Sequence, residues 1–404
     1  MASLRDIIRV CIKDILGALV PRIYRLIHSR SRKELIPWIG EPRRILVLNG
    51  AHIGDSVIST SIIPILRSAY PSAEIGFVVG SWSSMVIAHH PDIAFVHQVD
   101  HWWLNRSDTS WIRKLRHFRR TYKIALGEIR DTGYDLALCI FPYFLPDYMD
   151  LAWRAGIPIR LGFTNSVFAS LATSLTDLPA SPFLHQGALQ AEVLRPLSID
   201  KRHTEKRKSS LPESAEDAMR EASRLLRVAD IRAAKYCIVH MGAGALNREM
   251  PTGFWRDVAA NLSKSQSLLF TGRGSRESAN IIRATDGLEN CINACDKLSW
   301  DGFVAAVRYA DALYGVESMA GHVAAAVDTP SIVVYSGVAG VARWRPEGKL
   351  CTVFTNHIAC APCGNMQGCK AMTCLKDIMP IDVLASHSIS STRDLCGAPS
   401  NKAS

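Results

Sequence analysis

Two groups of residues have the types and spacing of chemical sites. The first is Gly54-Asp55. It follows the apolar run Ile45–Leu48 and the turn Gly50-Ala51-His52-Ile53-Gly54, and it opens a segment with Val57, Ile58, Ile62, Ile65 and Leu66 on one side. The pattern is strand, glycine loop, helix, with a carboxylate at the helix start. Ligands in open α/β sheets bind outside the carboxyl ends of strands, so Asp55 is placed to meet one. It can equally be a helix cap, as Asp often is. The loop is not G-x-G-x-x-G, which argues against a dinucleotide. The second group is Cys360, Cys363, Cys369 and Cys374, spaced C-x2-C-x5-C-x4-C. Four thiolates on a short loop could hold zinc or iron tetrahedrally. Reduced structural thiols are the alternative. The role is structural either way, because no His or carboxylate with an open coordination position accompanies them.

The elements that must position these groups are α/β in pattern. With 404 residues, 48% hydrophobic and 21% charged, the chain can bury two cores. Residues 1–40 read as a basic amphipathic helical extension and residues 41–200 as a first α/β domain. Residues 201–234 read as a charged connection, 235–385 as a second α/β domain, and 386–404 as a Ser-rich flexible tail. Ile75–Val79 and Leu136–Phe141 are expected strands of the first domain, with a helix over Trp111–Thr132 between them. In the second, strands are expected at Tyr236–Met241, Ser267–Thr271, Ala312–Val316 and Ser331–Tyr335. Helices are expected at Phe254–Leu262, from about Ser275 to Ala284, and at Phe303–Tyr309 and Gly321–Val327. Alternation of this kind builds parallel sheets.

The formal net charge is +10, with a pI near 9.1. A basic balance suits anionic partners: nucleic acid, a phosphorylated glycolipid or a membrane surface. The 11 cysteines are unevenly distributed and do not form the framework of a small secreted domain. No stretch approaches the roughly 20 apolar residues of a spanning helix. Arg5, Asp6, Arg9, Lys13 and Asp14 interrupt the N-terminus, so it does not read as a secretory signal. A cytoplasmic protein is expected. In residues 1–34, Leu4, Ile8, Cys11, Ile15, Leu19, Ile23 and Leu26 recur at helical steps among basic residues, with a break at Pro21. Such a helix can lie on an anionic membrane or dock on the protein's own body. Arg113, Lys114, Arg116, Arg119, Arg120 and Lys123 crowd another helix, close after Trp102 and Trp103. That run is either a solvated face or an anion-binding surface.

With both halves laid out, the chain resembles glycosyltransferase family 9, the bacterial heptosyltransferases of lipopolysaccharide core assembly. The resemblance covers roughly Arg43 to Val383. Its carriers are RRILVLNGAHIGDSVISTSIIPILRSAYPSAEI, GIPIRLGF at 156–163, IVHMGAGALNREMPTGFW and ADALYGVESMAGHVAAAVDTPSIVVYSG, followed by CAPCGNMQGCKAMTC. Departures are Glu317 where Asp is usual, Met319 where Gly is usual, Met250 for the common Trp, and Arg248 for Lys. Loss of glycine permissiveness at 319 would matter if backbone there approached a diphosphate closely.

The resemblance implies a GT-B architecture, two Rossmann-like domains facing across a cleft, and an inverting transfer without a metal at the reacting centre. It implies an ADP-sugar donor, ADP-heptose above all, in the C-terminal domain and an acceptor in the N-terminal one. On this reading Asp55 is the base that takes the acceptor's proton, and Arg248 meets the leaving diphosphate with a bidentate fork. The backbone N–H groups of Ser318, Met319, Ala320 and Gly321 form an anion site at a helix start. Glu317 and His322 bind phosphate or ribose, or hold the loop. Glu277 contacts the nucleoside. Gly54, Arg113, Arg116, Arg119 and Arg120 are the acceptor-side candidates. The expected setting is the inner face of the cytoplasmic membrane, with an anionic glycolipid acceptor and no nucleic acid. Another nucleotide sugar or a protein acceptor is the enzyme alternative. A non-catalytic basic protein binding membrane or nucleic acid is the other, and the Gly54-Asp55 pair speaks against it.

Overall fold

The computed structural model describes residues 41–141, 148–179, 181, 183–365 and 367–390, with the side chains of 386–390 excepted. The expected N-terminal membrane helix lies outside the described residues. The chain divides into two compact units, Met1–Lys208 and Ser209–Ser404. The division falls inside the charged stretch expected as a connection. Among the described residues no helix is long and apolar enough to cross a membrane.

The first unit is built on strands β1 (Arg44–Leu48), β2 (Glu74–Val79), β3 (Ile93–Gln98), β4 (Leu136–Cys139), β5 (Ile159–Phe163) and β6 (Ser174–Thr176). Their order is β3-β2-β1-β4-β5-β6, and every pairing is parallel. Ile45, Leu46, Val47 and Leu48 are fully buried, as the near-continuous apolar run of a central parallel strand requires. The main helices are α1 (Ile53–Ser59), α2 (Ile63–Ala69), α3 (Trp111–Thr132) and α4 (Met149–Arg154).

The second unit repeats the plan. Its strands are β7 (Tyr236–His240), β8 (Ser267–Thr271), β9 (Cys291–Asn293), β10 (Ala312–Val316), β11 (Ser331–Tyr335) and β12 (Cys351–Thr355). The order β12-β11-β10-β7-β8-β9 is the first unit's order read from the other edge. Helices α5 (Glu216–Leu226), α6 (Thr252–Leu262), α7 (Ser275–Thr285), α8 (Trp300–Arg308), α9 (Met319–Ala326) and α10 (Pro380–Ser390) flank it. Helix α6 starts directly after Pro251 and buries Phe254, Trp255, Val258, Ala259 and Leu262, the three- and four-residue spacing of one helix face. Helix α10 continues five residues past the point where a flexible tail was expected.

Both sheets follow the Rossmann order, which reverses direction once. Ligands bind at that reversal, outside the carboxyl ends of the strands. It lies between β1 and β4 in the first unit and between β7 and β10 in the second.

Candidate functional site

In the first unit the loop after β1 carries the predicted carboxylate. Asn49, fully buried, closes the strand by donating its backbone N–H to Val78 O at 3.0 Å. Its Nδ2 donates to Ser59 Oγ at 2.5 Å, and Ser59 Oγ in turn lies 2.7 Å from the Asp55 carbonyl oxygen and 3.2 Å from Gln190 Oε1. A buried amide at the strand end therefore ties down the helix that bears Asp55. The Tyr148 phenol occupies the space a Cβ at position 50 would need. The loops after β1 and β4 thus meet at the reversal, and Gly50 permits it.

Asp55 lies in the first turn of α1, half-buried, where the positive end of the helix dipole favours a carboxylate. It is not the cap: His52, with extended backbone, holds that position. Burial first, then the charge of Arg106, pushes the His52 imidazole down to about 4, so it is neutral at pH 7. Gly54 belongs to the same turn. Arg113, Arg116, Arg119 and Arg120 are exposed on α3.

In the second unit Arg248, in the loop after β7, meets Glu317, just past β10, across the reversal at 3.4 Å. Ser336 Oγ donates to the other Glu317 oxygen at 3.2 Å. Burial pushes the Glu317 carboxyl upward, opposed by Arg248 and by Ser336. Two buried polar atoms beside this pair lack a partner, Arg248 Nε and Ser318 Oγ. Ser318 is the N-cap of α9, yet its hydroxyl does not cap the helix. Met319 has ordinary helical backbone and is not among the positive-φ residues, so a side chain there carries no conformational cost. Gly321 is buried where a Cβ would press on Pro346 Cγ at 2.9 Å and Val333 Cγ2 at 3.1 Å. Its glycine serves packing. Ala320 and His322 are buried on the same helix.

Glu277 stands in the first turn of α7 and reaches back over the ends of β7 and β8. A Cβ on Gly242 or Gly272 would overlap its carboxylate, and Arg273 N–H donates to it at 3.0 Å. Burial raises the Glu277 pKa. Beside it, Glu249 takes the Arg276 guanidinium with both oxygens at 2.6 and 2.7 Å and accepts from Ala243 N–H at 3.1 Å. Glu249 thereby links the loop bearing Arg248 to the helix bearing Glu277. These carboxylates line a shallow hollow shared with Met241, Met250, Thr271 and Asn280. Sequence reasoning missed Glu249, Ser336 and Asn49. Glu249 was visible only as the neighbour of Arg248.

The cysteines of the loop differ in exposure. Cys360, Cys363 and Cys369 are exposed, whereas Cys374 is buried against Gly337. Cys363 N–H is committed to Gly337 O, and Met372 N–H to Cys369 Sγ. Among the described residues no three Cys, His, Asp or Glu side chains are gathered to hold a metal ion.

Comparison with known proteins gives the family. The model of Glycosyltransferase family 9 (heptosyltransferase) matches residues 150–372, more than half of the chain. Lipopolysaccharide heptosyltransferase 3 of Escherichia coli (strain K12) is 22% identical over 297 residues, 72% of this chain and 82% of that protein. The crystal structure of a family 9 glycosyl transferase from Veillonella parvula DSM 2008 superposes with a TM-score of 0.69 at 19% identity, covering 87% of this chain and 97% of that one. An E. coli heptosyltransferase, WaaC, solved with ADP, gives 0.62 at 16%, covering 86% and 99%. The chain belongs to glycosyltransferase family 9, has the GT-B class of fold and is a glycosyltransferase.

Proposed function

We propose that the protein transfers a heptose, with inversion, from ADP-heptose to an anionic glycolipid of lipopolysaccharide core or a related glycan. One observation carries the donor half: Arg248 Nε and Ser318 Oγ are both buried without partners, beside the Arg248–Glu317 pair and the start of α9. A buried donor costs about 1–3 kcal/mol when left unmade, and a diphosphate oxygen would satisfy it. The relatives support the same reading, since one is named a lipopolysaccharide heptosyltransferase and another was solved with ADP.

In the proposed reaction Asp55 takes the proton of an acceptor hydroxyl as its oxygen forms a bond to the anomeric carbon. The bond from that carbon to the diphosphate oxygen breaks on the opposite face, and its electron pair leaves with ADP. Arg248 and the N–H groups opening α9 stabilise that charge. Glu277 takes the ribose hydroxyls, next to the hollow. Arg113, Arg116, Arg119 and Arg120 are the candidates for the acceptor's anionic groups. The setting is the cytoplasmic face of the inner membrane. The test is calorimetric titration of ADP, then transfer assays with a panel of nucleotide sugars. Failure to bind ADP while another nucleoside diphosphate binds would redirect the donor assignment.

A further inference from the structure

Helix α3 packs on the first unit along one side only. Of its 22 residues, Ala125 and Ile129 alone are buried. Its middle is pinned just beyond β3: His117 Nε2 lies 2.6 Å from the buried Asp100 carboxylate, and Asp100 N–H donates to Thr121 Oγ1 at 3.1 Å. The helix then descends toward the start of β4. Residues 111–116 therefore lie on the side of the carboxyl ends of the strands, where Lys114 Nζ donates to Asn105 O at 2.8 Å. That is the end of the sheet that carries Asp55.

The outward side of this helix is positive. Arg113, Arg116, Arg119, Arg120 and Lys123 are exposed and make no ion pair or side-chain hydrogen bond among the described residues. No Asp or Glu occurs from Trp111 to Leu126. At 3.6 residues per turn the five cations fall within an arc of about 140°. Charge alone would fit any polyanion. The apolar residues decide between them. Ile112 and Ile124 lie within the same arc, 46% and 52% exposed. A surface built to track phosphates of nucleic acid has no use for outward aliphatic side chains. A surface lying in the headgroup boundary uses them, with cations toward lipid phosphate.

We infer that the outer face of α3 docks on an anionic lipid bilayer. Ile112 and Ile124 enter the headgroup boundary, and the five cations meet lipid phosphates. The inference extends the proposed function from the acceptor to the surface that carries it, and it turns the Asp55 end of the first unit toward that surface.

Co-sedimentation of the full chain with phosphatidylcholine vesicles, with and without phosphatidylglycerol, tests it. The variant R116E/R119E/K123E should bind anionic vesicles at least about tenfold more weakly, from the attraction each basic residue contributes near such a surface. I112S/I124S should weaken binding at high salt, where the electrostatic part is screened. K235E/R256E/K264E makes the same charge change on exposed residues of the second unit and should bind like the parent. Equal binding by the two triple variants overturns the inference. So does loss of oligonucleotide binding in the α3 variant with vesicle binding intact. ADP titration of each variant reads the donor site separately, so failure there leaves the vesicle result standing.

Discussion

Arg248 Nη1 lies 3.4 Å from Glu317 Oε1 and joins the loop after β7 to the end of β10. The guanidinium opposes the upward push of burial on the Glu317 carboxyl. In Arg248→Ala that opposition is lost and the carboxyl rises further. A group raised above its unfolded value stabilises the fold below that value and loses the contribution as pH rises through its folded pKa. The variant should therefore lose more stability near pH 8 than near pH 5, on the order of 3 kcal/mol at the higher pH. Thermal melts at both values decide; an equal loss would mean the pair is not coupled.

Asp55→Asn should leave ADP affinity unchanged and lower transfer by about 10²–10⁴-fold, the range for removal of a general base. Near-normal turnover would remove Asp55 from that role.

The seat of Glu277 makes a steric prediction. Gly242→Ala should weaken ADP binding, because the new methyl displaces the carboxylate. Adding Gly242→Ala to Glu277→Ala should cost much less than adding it to the parent, since the clash has already gone. A full second loss in that double-mutant cycle would place the effect in the backbone.

His240 is buried, with Nδ1 2.9 Å from Thr271 Oγ1, and burial pushes its imidazole down to about 4. A base whose folded pKa is depressed stabilises the fold above its unfolded value, and that contribution is lost as pH falls from about 6.5 toward about 4. His240→Gln should flatten the stability slope in this window by up to about 1.4 kcal/mol per pH unit. Parallel slopes in parent and variant would show that His240 does not titrate there.

A structural zinc or iron on the cysteine loop requires Cys360, Cys363 and Cys369 to turn inward toward Cys374. As placed, the first three should alkylate quickly and Cys374 slowly, which mass spectrometry of labelled peptides resolves. Stoichiometric metal by elemental analysis, together with protection of all four thiols, would establish a different loop arrangement.

The strands that were legible in the sequence are those buried on both faces. β1, β7, β10 and β11 read as unbroken apolar runs. β3, β9 and β12 are partly exposed and broken by polar residues, and β6 has three residues, so none has a period to detect. Asp55 was visible because strand, glycine and carboxylate are contiguous. Glu249 was hidden because its meaning comes from Arg276, 27 residues away, and Asn49 because its partners lie on a helix and on Gln190. Side chains that act through distant partners leave no local pattern.

Each sheet draws all its strands from its own unit. The last strand of the first sheet, β6, ends at Thr176, before the second unit begins at Ser209. On the ribosome the first sheet can close while the second half is still being synthesised, since domains fold as units from the N-terminus. The first unit then waits as finished protein for the second. Ribosome pauses placed near residue 209 should spare its yield, whereas pauses between β1 and β4 should expose a parallel sheet missing its centre.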